Sequence, residues 1–314
     1  MTCREFIENY DYIVESYNEL YEKRYLGSTL RYAGGKSGGV EQIAEYIPKD
    51  ITKVISPFFG GGSMEIYIAK ELGIDVVGYD IFPLLVNFWQ MQIHSPNELY
   101  EELKKLPNTK KEYARIKGIL KFHYNKGDIY EDYNGTDLEL AAYYWFNHQL
   151  SYGPQFLGHM SNMWLDEKKY QRAIEKVKNF DVKNLEVYQG TFDIQIPKYN
   201  GEFMYLDPPY YLGEDSTVFR GIYPNSQSPI YHKKFDHEKL ADLLKQHEGG
   251  FVLSYNDCSW IRNAYKNFEI IELTWQYSMG QGITNVSKGR IKQEMTSHIK
   301  KSSELLIIGR VSKG

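Results

Sequence analysis

The tetrad Asp207-Pro208-Pro209-Tyr210 combines residue types that can hold an amino group. The apolar run 203–206 before it predicts a buried strand, and ligands of α/β sheets bind where such strands end. Proline fixes φ and lacks an N–H, so the Asp207 carboxylate and the Pro208 carbonyl would be two acceptors without competing backbone donors. Two acceptors beside the flat ring of Tyr210 suit the exocyclic amine of a base. The alternative interpretation is an ordinary Pro-Pro turn after a strand.

A second candidate site lies far upstream, where a strand over Val54–Phe59 leads into the glycine turn Gly60–Gly62 and a helix that we expect Ser63 to cap. Such a turn lets the backbone approach a nucleotide-like cofactor closely. The next strand, Val76–Asp80, ends in an acid roughly twenty residues past the glycines, the spacing at which a carboxylate binds ribose hydroxyls. The pattern does not separate NAD from other adenosine cofactors. An ordinary βα turn, with Asp80 as a helix cap, is the alternative.

Four short motifs follow one another in a fixed order: Tyr-Ala-Gly-Gly-Lys at 32–36, Pro-Phe-Phe-Gly-Gly-Gly-Ser at 57–63, Asp80, and the tetrad at 207–210. In this order the chain resembles the Dam-like adenine-N6 DNA methyltransferases (D12 class, alpha group), from about Leu30 to Arg310. The first motif of that family usually carries tryptophan where this chain has Tyr32, a change that keeps an aromatic face.

The resemblance implies S-adenosylmethionine (AdoMet) as the cofactor. The implied cofactor contacts are Tyr32, Lys36, Phe59, Gly60, Asp80 at the ribose, Phe192 near the adenine, and Asp207 at the methionine end. Phe192 matches the family pattern only loosely, and a core phenylalanine is its alternative interpretation. The tetrad 207–210 would then be catalytic: Asp207 and Pro208 would bind N6 of a flipped-out adenine, and Tyr210 would stack on that base. Tyr211 is the alternative for the stacking role, although the tetrad favours Tyr210.

The resemblance also implies double-stranded DNA as the substrate, and two segments offer contacts to it. The segment from Asn147 to Gln155 carries side chains that pair with base edges, although a polar helix-to-loop connection is the alternative. Near the C-terminus, Lys288, Arg290 and Lys292 suit phosphates, with a solvated polar loop as the alternative. The residues around Asn147 depart from the family pattern that reads GATC, so that specificity does not transfer to this chain.

Three rival functions remain open on the sequence. A cytosine-N4 methyltransferase has similar chemistry, but its family usually carries serine in place of Asp207. An NAD-dependent oxidoreductase could use the glycine turn and Asp80, yet it leaves the tetrad unexplained. A non-catalytic DNA-binding relative would have no need of the intact Lys36, Asp80 and Asp207. A cognate restriction endonuclease acting separately is a candidate partner, and the sequence does not distinguish a monomer from a homodimer.

Composition agrees with such an enzyme. The chain has 314 residues, more than a usual single core, and its net charge of -4 requires that positive charge be segregated if DNA is bound. The two cysteines, Cys3 and Cys258, predict neither a disulfide framework nor a metal site. Because the chain lacks both a long apolar run and a signal-peptide pattern, we expect a cytoplasmic protein without a membrane partner.

We predict an α/β fold: a Rossmann-like class I AdoMet-dependent methyltransferase sheet with an inserted, mainly helical target-recognition domain. Strands are expected near 54–58, 76–80, 185–189, 202–206, 251–255, 268–277 and 304–310. The predicted domains are a helical N-terminal extension at 1–28, a catalytic domain at 29–90 and 185–314, and a target-recognition domain at 91–184. We also expect a scaffold helix capped by Asp236 and ended by Gly249.

Overall fold

The computed structural model describes residues 25–32, 34–36, 38–125, 135–213, 235–275 and 302–310. Most of the predicted N-terminal extension and the basic residues Lys288, Arg290 and Lys292 lie outside these ranges. Within the described part of the chain, no helix combines the length and the apolar character needed to cross a membrane.

A seven-stranded sheet forms the centre of the fold, in the order β3-β2-β1-β4-β5-β7-β6. Its strands are β1 Lys53–Ser56, β2 Asp75–Asp80, β3 Leu185–Gln189, β4 Met204–Leu206, β5 Phe251–Asn256, β6 Glu269–Trp275 and β7 Ser302–Gly309. The first five strands are parallel, and β7 runs antiparallel between β5 and β6. The predicted Rossmann-like methyltransferase sheet is confirmed, and each observed strand overlaps its predicted range.

Both faces of the central strands are covered, which is why β1, β4 and β5 contain apolar runs in the sequence. Val54 belongs to one apolar core and Ile55 to another, on opposite faces of β1. The strand order reverses between β1 and β4, and this reversal leaves a crevice at their carboxyl ends. The glycine turn follows β1 and the tetrad follows β4, so both border the crevice.

Helices connect the strands and supply the covering layers. They are α1 Val40–Ala44, α2 Ser63–Glu71, α3 Pro83–His94, α4 Pro96–Lys104, α5 Lys110–Asn125, α6 Asp137–Leu150, α7 Glu167–Lys178, α8 Phe192–Lys198, α9 His237–Gln246 and α10 Ser259–Ala264. A short 3-10 helix lies at Asn162–Leu165.

The start of α2 differs from the prediction. Ser63 is the first helical residue rather than the cap, and Gly62 takes the cap position with a φ of 66°. The left-handed backbone there needs a residue without a Cβ atom, and a side chain on Gly62 would also meet the ring of Phe59. The turn therefore closes one residue earlier than the serine signal indicates.

The two ends of α9 compare differently with the prediction. Asp236 caps the helix as predicted, since its carboxylate accepts a hydrogen bond from Lys239 N at 2.9 Å. The predicted end at Gly249 is wrong, because α9 ends at Gln246. Gly249 instead lies where the chain passes closely over the backbone of Glu202, an approach that leaves no room for a side chain.

The segment between β2 and β3 carries α3 to α7, and its helices share a core with the sheet. Trp89 of α3 and Trp145 of α6 belong to the same apolar core as Val76 of β2. Every residue of α6 from Leu140 to Leu150 is buried. The segment is mainly helical, as expected, whereas the division of the chain into domains with boundaries at 91–184 stays a prediction.

Candidate active site

A buried lysine lies at the centre of the candidate site, on the loop before α1. Lys36 Nζ lies 2.7 Å from Asp207 Oδ1, 2.9 Å from the Tyr210 hydroxyl and 3.1 Å from Glu304 Oε1. The side chain of Lys36 is only 3 % exposed, so these partners replace the water that would otherwise solvate its charge. The structure thus brings together three residues that the sequence predicted, Lys36, Asp207 and Tyr210, and adds Glu304.

The ionisation of Asp207 is balanced by opposing effects. Burial raises its pKa to about 6, the Lys36 ammonium opposes that rise, and the Glu304 carboxylate adds to it. The Asp207 side chain is still 24 % exposed, whereas Glu304 is 2 % exposed. Asp207 is therefore the acid of this cluster that a ligand in the crevice can reach.

The rest of the tetrad is fixed from several sides. Pro208 is buried, Pro209 is half-buried, and the buried Tyr210 donates a hydrogen bond from its hydroxyl to Glu304 Oε1 at 2.6 Å. The ring of Tyr210 lies with its centroid 4.9 Å from Lys36 Nζ. Since the hydroxyl is engaged on this side, the ring orientation is set before any base arrives.

An asparagine at the end of β5 holds the backbone that follows the tetrad. Asn256 Oδ1 accepts from Tyr211 N at 2.9 Å, and Asn256 Nδ2 donates to Tyr211 O at 2.9 Å. The ring of Tyr211 stacks on Trp260 with a centroid distance of 4.8 Å and an interplanar angle of 9°. The loop after β4 is therefore anchored at both ends, by Lys36 and by Asn256.

Tyr32 lies directly on the glycine turn. A Cβ atom on Gly60 would lie 3.1 Å from the Tyr32 ring, and one on Gly61 would lie 2.5 Å from Tyr32 Cβ. Gly60 also has a φ of 50°, a conformation that other residues adopt rarely. Trp89 Nε1 donates to Gly60 O at 2.9 Å, so the turn is held on its other side. The glycines therefore make room for the Tyr32 side chain, which packs directly on the backbone of the turn.

Asp80 ends β2 beside the same turn. Its Oδ2 accepts from Gly60 N at 3.0 Å, and its Oδ1 accepts from Phe82 N at 2.9 Å. The second bond closes a short turn onto Phe82, the residue before α3, and the helix cap given above as the alternative interpretation is not formed, because Phe82 is the cap residue and no side chain caps this helix. An ionised carboxylate has about four acceptor positions, so this one retains capacity for ribose hydroxyls. Burial raises the pKa of Asp80, and the backbone N–H groups of Phe82 and Gly60 oppose that rise.

Phe192, the predicted adenine neighbour, begins α8 and packs within an aromatic group. Its ring centroid lies 5.6 Å from that of Phe58 and 5.0 Å from that of Phe235. All three rings are half-buried. Phe58 adjoins Phe59 at the mouth of the glycine turn, so the group borders the crevice rather than the deep core. Phe59 itself is buried and packs edge-on against Trp89.

The end of α6 is tied to the segment that carries Tyr32. Arg31 N donates to Gln149 Oε1 at 2.8 Å, and Arg31 Nη1 donates to Gln149 O at 3.1 Å. The ring of His148 stacks on Tyr32 with a centroid distance of 5.6 Å and an angle of 14°. Burial lowers the pKa of His148 to about 3, so the imidazole is neutral at physiological pH. The inserted helices therefore contact the cofactor motif directly.

The two predicted base-reading residues have different environments. Asn147 is fully buried, and its Oδ1 accepts from Leu157 N at 2.7 Å, where the chain turns with a φ of 56°. In this arrangement the Asn147 amide shapes the loop, and it has no exposed surface for a base edge. Gln155 is half-buried, and Tyr152 beside it is 70 % exposed.

Sequence reasoning missed Glu304, Asn256 and Glu65. Glu304 is a charge within an apolar strand, and Asn256 is a polar residue at the carboxyl end of a strand, two signals that were available. Glu65 lies on α2 and accepts from Ser56 Oγ at 2.6 Å. Burial raises the pKa of Glu65 to about 8, so this acid is mostly neutral at pH 7.

Comparison with known proteins identifies the family. Residues 32–279 match the model of the D12 class N6 adenine-specific DNA methyltransferases. The chain belongs to this family. It is 24% identical over 311 residues to modification methylase StsI of Streptococcus sanguinis, covering 93% of this chain and 44% of that protein. It is 22% identical over 284 residues to the type II methyltransferase M1.LlaDCHI of Lactococcus lactis subsp. cremoris, covering 84% of this chain and 92% of that protein.

A viral protein is similar at the same level. The type II methyltransferase M.CviBI of Paramecium bursaria Chlorella virus NC1A is 22% identical over 278 residues, covering 86% of this chain and 96% of that protein. Membership of the family implies a methyltransferase that acts on DNA and uses a methyl donor of the AdoMet type. The motifs that predicted this family from the sequence lie around one crevice of the sheet.

Proposed function

We propose that this D12 methyltransferase transfers a methyl group from AdoMet to N6 of an adenine in a short site of double-stranded DNA. The observation that carries the proposal is the pairing of Asp207 with buried Lys36 at the carboxyl end of β4, across the crevice from the glycine turn. An acid that is partly exposed and oriented by a buried ammonium is suited to accept from an amino group.

The residues around the crevice fit AdoMet. Tyr32 supplies an aromatic ring beside the glycine turn, and Asp80 retains acceptor positions for ribose hydroxyls. Lys36 carries one positive charge between the carboxylates of Asp207 and Glu304. With both acids ionised, that cluster has one excess negative charge, which favours a cationic sulfonium nearby. AdoMet, when bound, supplies an electrophilic methyl group on that sulfonium.

The protein's part in the reaction is to position and polarise the amine. The N6 lone pair of adenine is delocalised into the ring, and it becomes nucleophilic when hydrogen bonds to Asp207 and to the Pro208 carbonyl localise it. Adenine N6 lies inside the stacked duplex, so the base has to be flipped out at a cost of a few kcal/mol. Tyr210 is the proposed stacking partner of the flipped base; its ring is oriented by Lys36 and Glu304 but is only 6 % exposed, so the residues that cover it have to move before a base can stack. Catalysis then depends mainly on orientation and electrostatics.

We assign recognition of the DNA target sequence to the segment between β2 and β3. The exposed part of the loop after α6 is the part that we expect to contact the bases first. Gln155 can bond to a base edge, whereas Asn147 would need the loop to open before it could do so. We propose that Lys288, Arg290 and Lys292 contact DNA phosphates. Their removal should weaken binding to all DNA sequences alike, because phosphate contacts carry little sequence information. A separately acting restriction endonuclease is the proposed biological partner, since the relatives are type II and modification methylases by name.

The test is methyl incorporation into double-stranded DNA, followed by nucleoside analysis. The purified full-length chain should transfer tritiated methyl groups to adenine, giving N6-methyladenine. Asp207→Ala should abolish incorporation while DNA binding survives. Asp193→Ala is the matched control, because it removes a surface acid whose ion-pair partner is Lys239. N4-methylcytosine as the product, or an active Asp207→Ala variant, would overturn the proposal.

A further inference from the structure

A buried acid on the last strand of the sheet, Glu304, enters the function proposed above through its ion pair with Lys36 and its hydrogen bond to Tyr210. Glu304 lies on β7 opposite Asn256 of β5, next to the fully buried Leu305 and Leu306. Burying an ionised carboxylate in such an apolar strand is costly unless it is paired and hydrogen-bonded. The strand retains this acid where a hydrophobic residue would be the ordinary choice.

Three partners tie Glu304 to the candidate site. Glu304 Oε1 accepts from the Tyr210 hydroxyl at 2.6 Å, pairs with Lys36 Nζ at 3.1 Å, and accepts from Ser254 Oγ of β5. Tyr210 also accepts from Lys36 at 2.9 Å, so Lys36, Tyr210 and Glu304 form a closed triangle. The positions of the Lys36 ammonium and the Tyr210 ring therefore depend on one buried carboxylate, that of Glu304, which no ligand can reach.

The charges within this cluster are unequally exposed. If Lys36 faced Asp207 alone, the pair would be neutral, and a cationic ligand would gain little from it. Among the contacts that the structure describes, Lys36 is shared between Glu304 and Asp207, so one negative charge is left over, and it lies on Asp207, the acid that is open to the crevice. Of the neighbours in the described part of the chain, Glu65 on α2 is mostly neutral at pH 7, and burial keeps the phenol of Tyr205 on β4 protonated, so neither changes this balance.

We infer that Glu304 is a positioning residue that holds Lys36 and Tyr210 and leaves the excess negative charge of the cluster on Asp207. The cluster thereby prefers the cationic sulfonium of AdoMet to the neutral thioether of the product, S-adenosylhomocysteine. The inference rests on the proposed function, because it assigns the sulfonium to the Asp207 side of the crevice. It adds a reason why the product, which has lost the charge, is released.

The first test compares cofactor affinities without DNA. Isothermal titration calorimetry with AdoMet and with S-adenosylhomocysteine gives the affinity ratio for the wild type and for Glu304→Gln. The glutamine keeps an acceptor oxygen for Tyr210, Ser254 and Lys36 but removes the charge. We expect the preference for AdoMet to fall about tenfold, the effect of one nearby charge at a partly screened site, while product affinity changes little. An unchanged ratio in a folded Glu304→Gln variant overturns the inference.

Two further variants separate charge from shape. Glu304→Asp keeps the charge but shortens the side chain, so the affinity ratio should be retained while kcat falls through loss of the Tyr210 contact. Ser254→Ala removes one hydrogen bond to Glu304 without a charge change, and it should leave the ratio unaltered. A ratio that falls equally in all three variants would show that Glu304 only supports packing.

The pH dependence of kcat supplies a second readout. Glu304 raises the pKa of Asp207, so its removal should lower that pKa. The acidic limb of the rate profile should then move to lower pH in Glu304→Gln, by about one unit for a like charge at this range. If the wild type neither binds AdoMet nor methylates DNA, the proposed function fails. If it does both and the acidic limb and the affinity ratio stay fixed in Glu304→Gln, only this inference fails.

Discussion

Replacing Asp207 with asparagine should stabilise the folded protein while it abolishes methyl transfer. The folded structure raises the pKa of Asp207 from its ordinary 3.8 to about 6, chiefly through burial. A rise of about two units corresponds to about 3 kcal/mol of unfolding free energy, at about 1.4 kcal/mol per unit. Because the side chain keeps some contact with water, we expect Asp207→Asn to gain about 1 to 3 kcal/mol at pH 8.

The sign of the pH dependence follows from the direction of the shift. Above pH 6 the folded state has to carry the ionised Asp207, whereas the unfolded chain solvates it freely, so the acid destabilises the fold. Between pH 6 and 3.8 the folded state holds the proton while the unfolded state loses it, and the cost declines. Below 3.8 both states are protonated and the cost is absent. The advantage of the asparagine variant should therefore shrink by about half between pH 8 and pH 5.

The structure also explains why the variant should fold. In Asp207→Asn the ammonium of Lys36 still pairs with Glu304, so no buried charge is left alone. The control is Asp193→Asn, where Lys239 lowers the pKa of a more exposed acid and the substitution should bring no gain. Urea unfolding at pH 8 and pH 5 measures the difference. A variant no more stable than the wild type at pH 8, or a gain that does not decline at pH 5, would refute this account.

Other substitutions test the remaining parts of the crevice. Tyr32→Ala should weaken AdoMet binding about tenfold because the glycine turn loses its aromatic cover, and Tyr32→Trp should restore it; calorimetry measures both. Asp80→Ala should cost about 1.5 to 3 kcal/mol of AdoMet affinity with a smaller effect on the maximal rate, and unchanged affinity in calorimetry would exclude a ribose contact. Asn256→Ala should lower kcat more than it raises KM, since Tyr211 N and O lose their partner; an unaltered rate would show that this anchor is dispensable.

The sheet was predictable because its signals are local. The central strands β1, β4 and β5 contain short apolar runs, which indicate buried strands where helices cover both faces, whereas β3 at the edge of the sheet alternates buried and exposed residues. The glycine turn and Asp80 were predictable for the same reason, since they directly follow β1 and end β2. The cap at Gly62 was missed because the serine after it gave the stronger signal, although the left-handed backbone there requires glycine.

The environment of Asn147 could not be predicted, because it depends on packing that no local pattern encodes. Its polar neighbours His148 and Gln149 indicated an exposed, base-reading segment, yet all three are buried. Gln149 is occupied by Arg31, and His148 by the ring of Tyr32, two residues more than a hundred positions upstream. Polar side chains that satisfy distant backbone and aromatic groups look identical in sequence to side chains that await DNA.

The Lys36–Asp207–Glu304 cluster shows why the last strand matters to the chemistry. A strand added in parallel at the edge of the sheet would place its residues far from β4. Because β7 instead inserts antiparallel next to β5, it brings Glu304 level with Asn256 at the carboxyl end of that strand. Two strands thus supply the anchors of this loop: Asn256 of β5 holds Tyr211, and Glu304 of β7 holds Tyr210. The antiparallel strand is therefore part of the candidate site, because it places the carboxylate that shares Lys36 with Asp207.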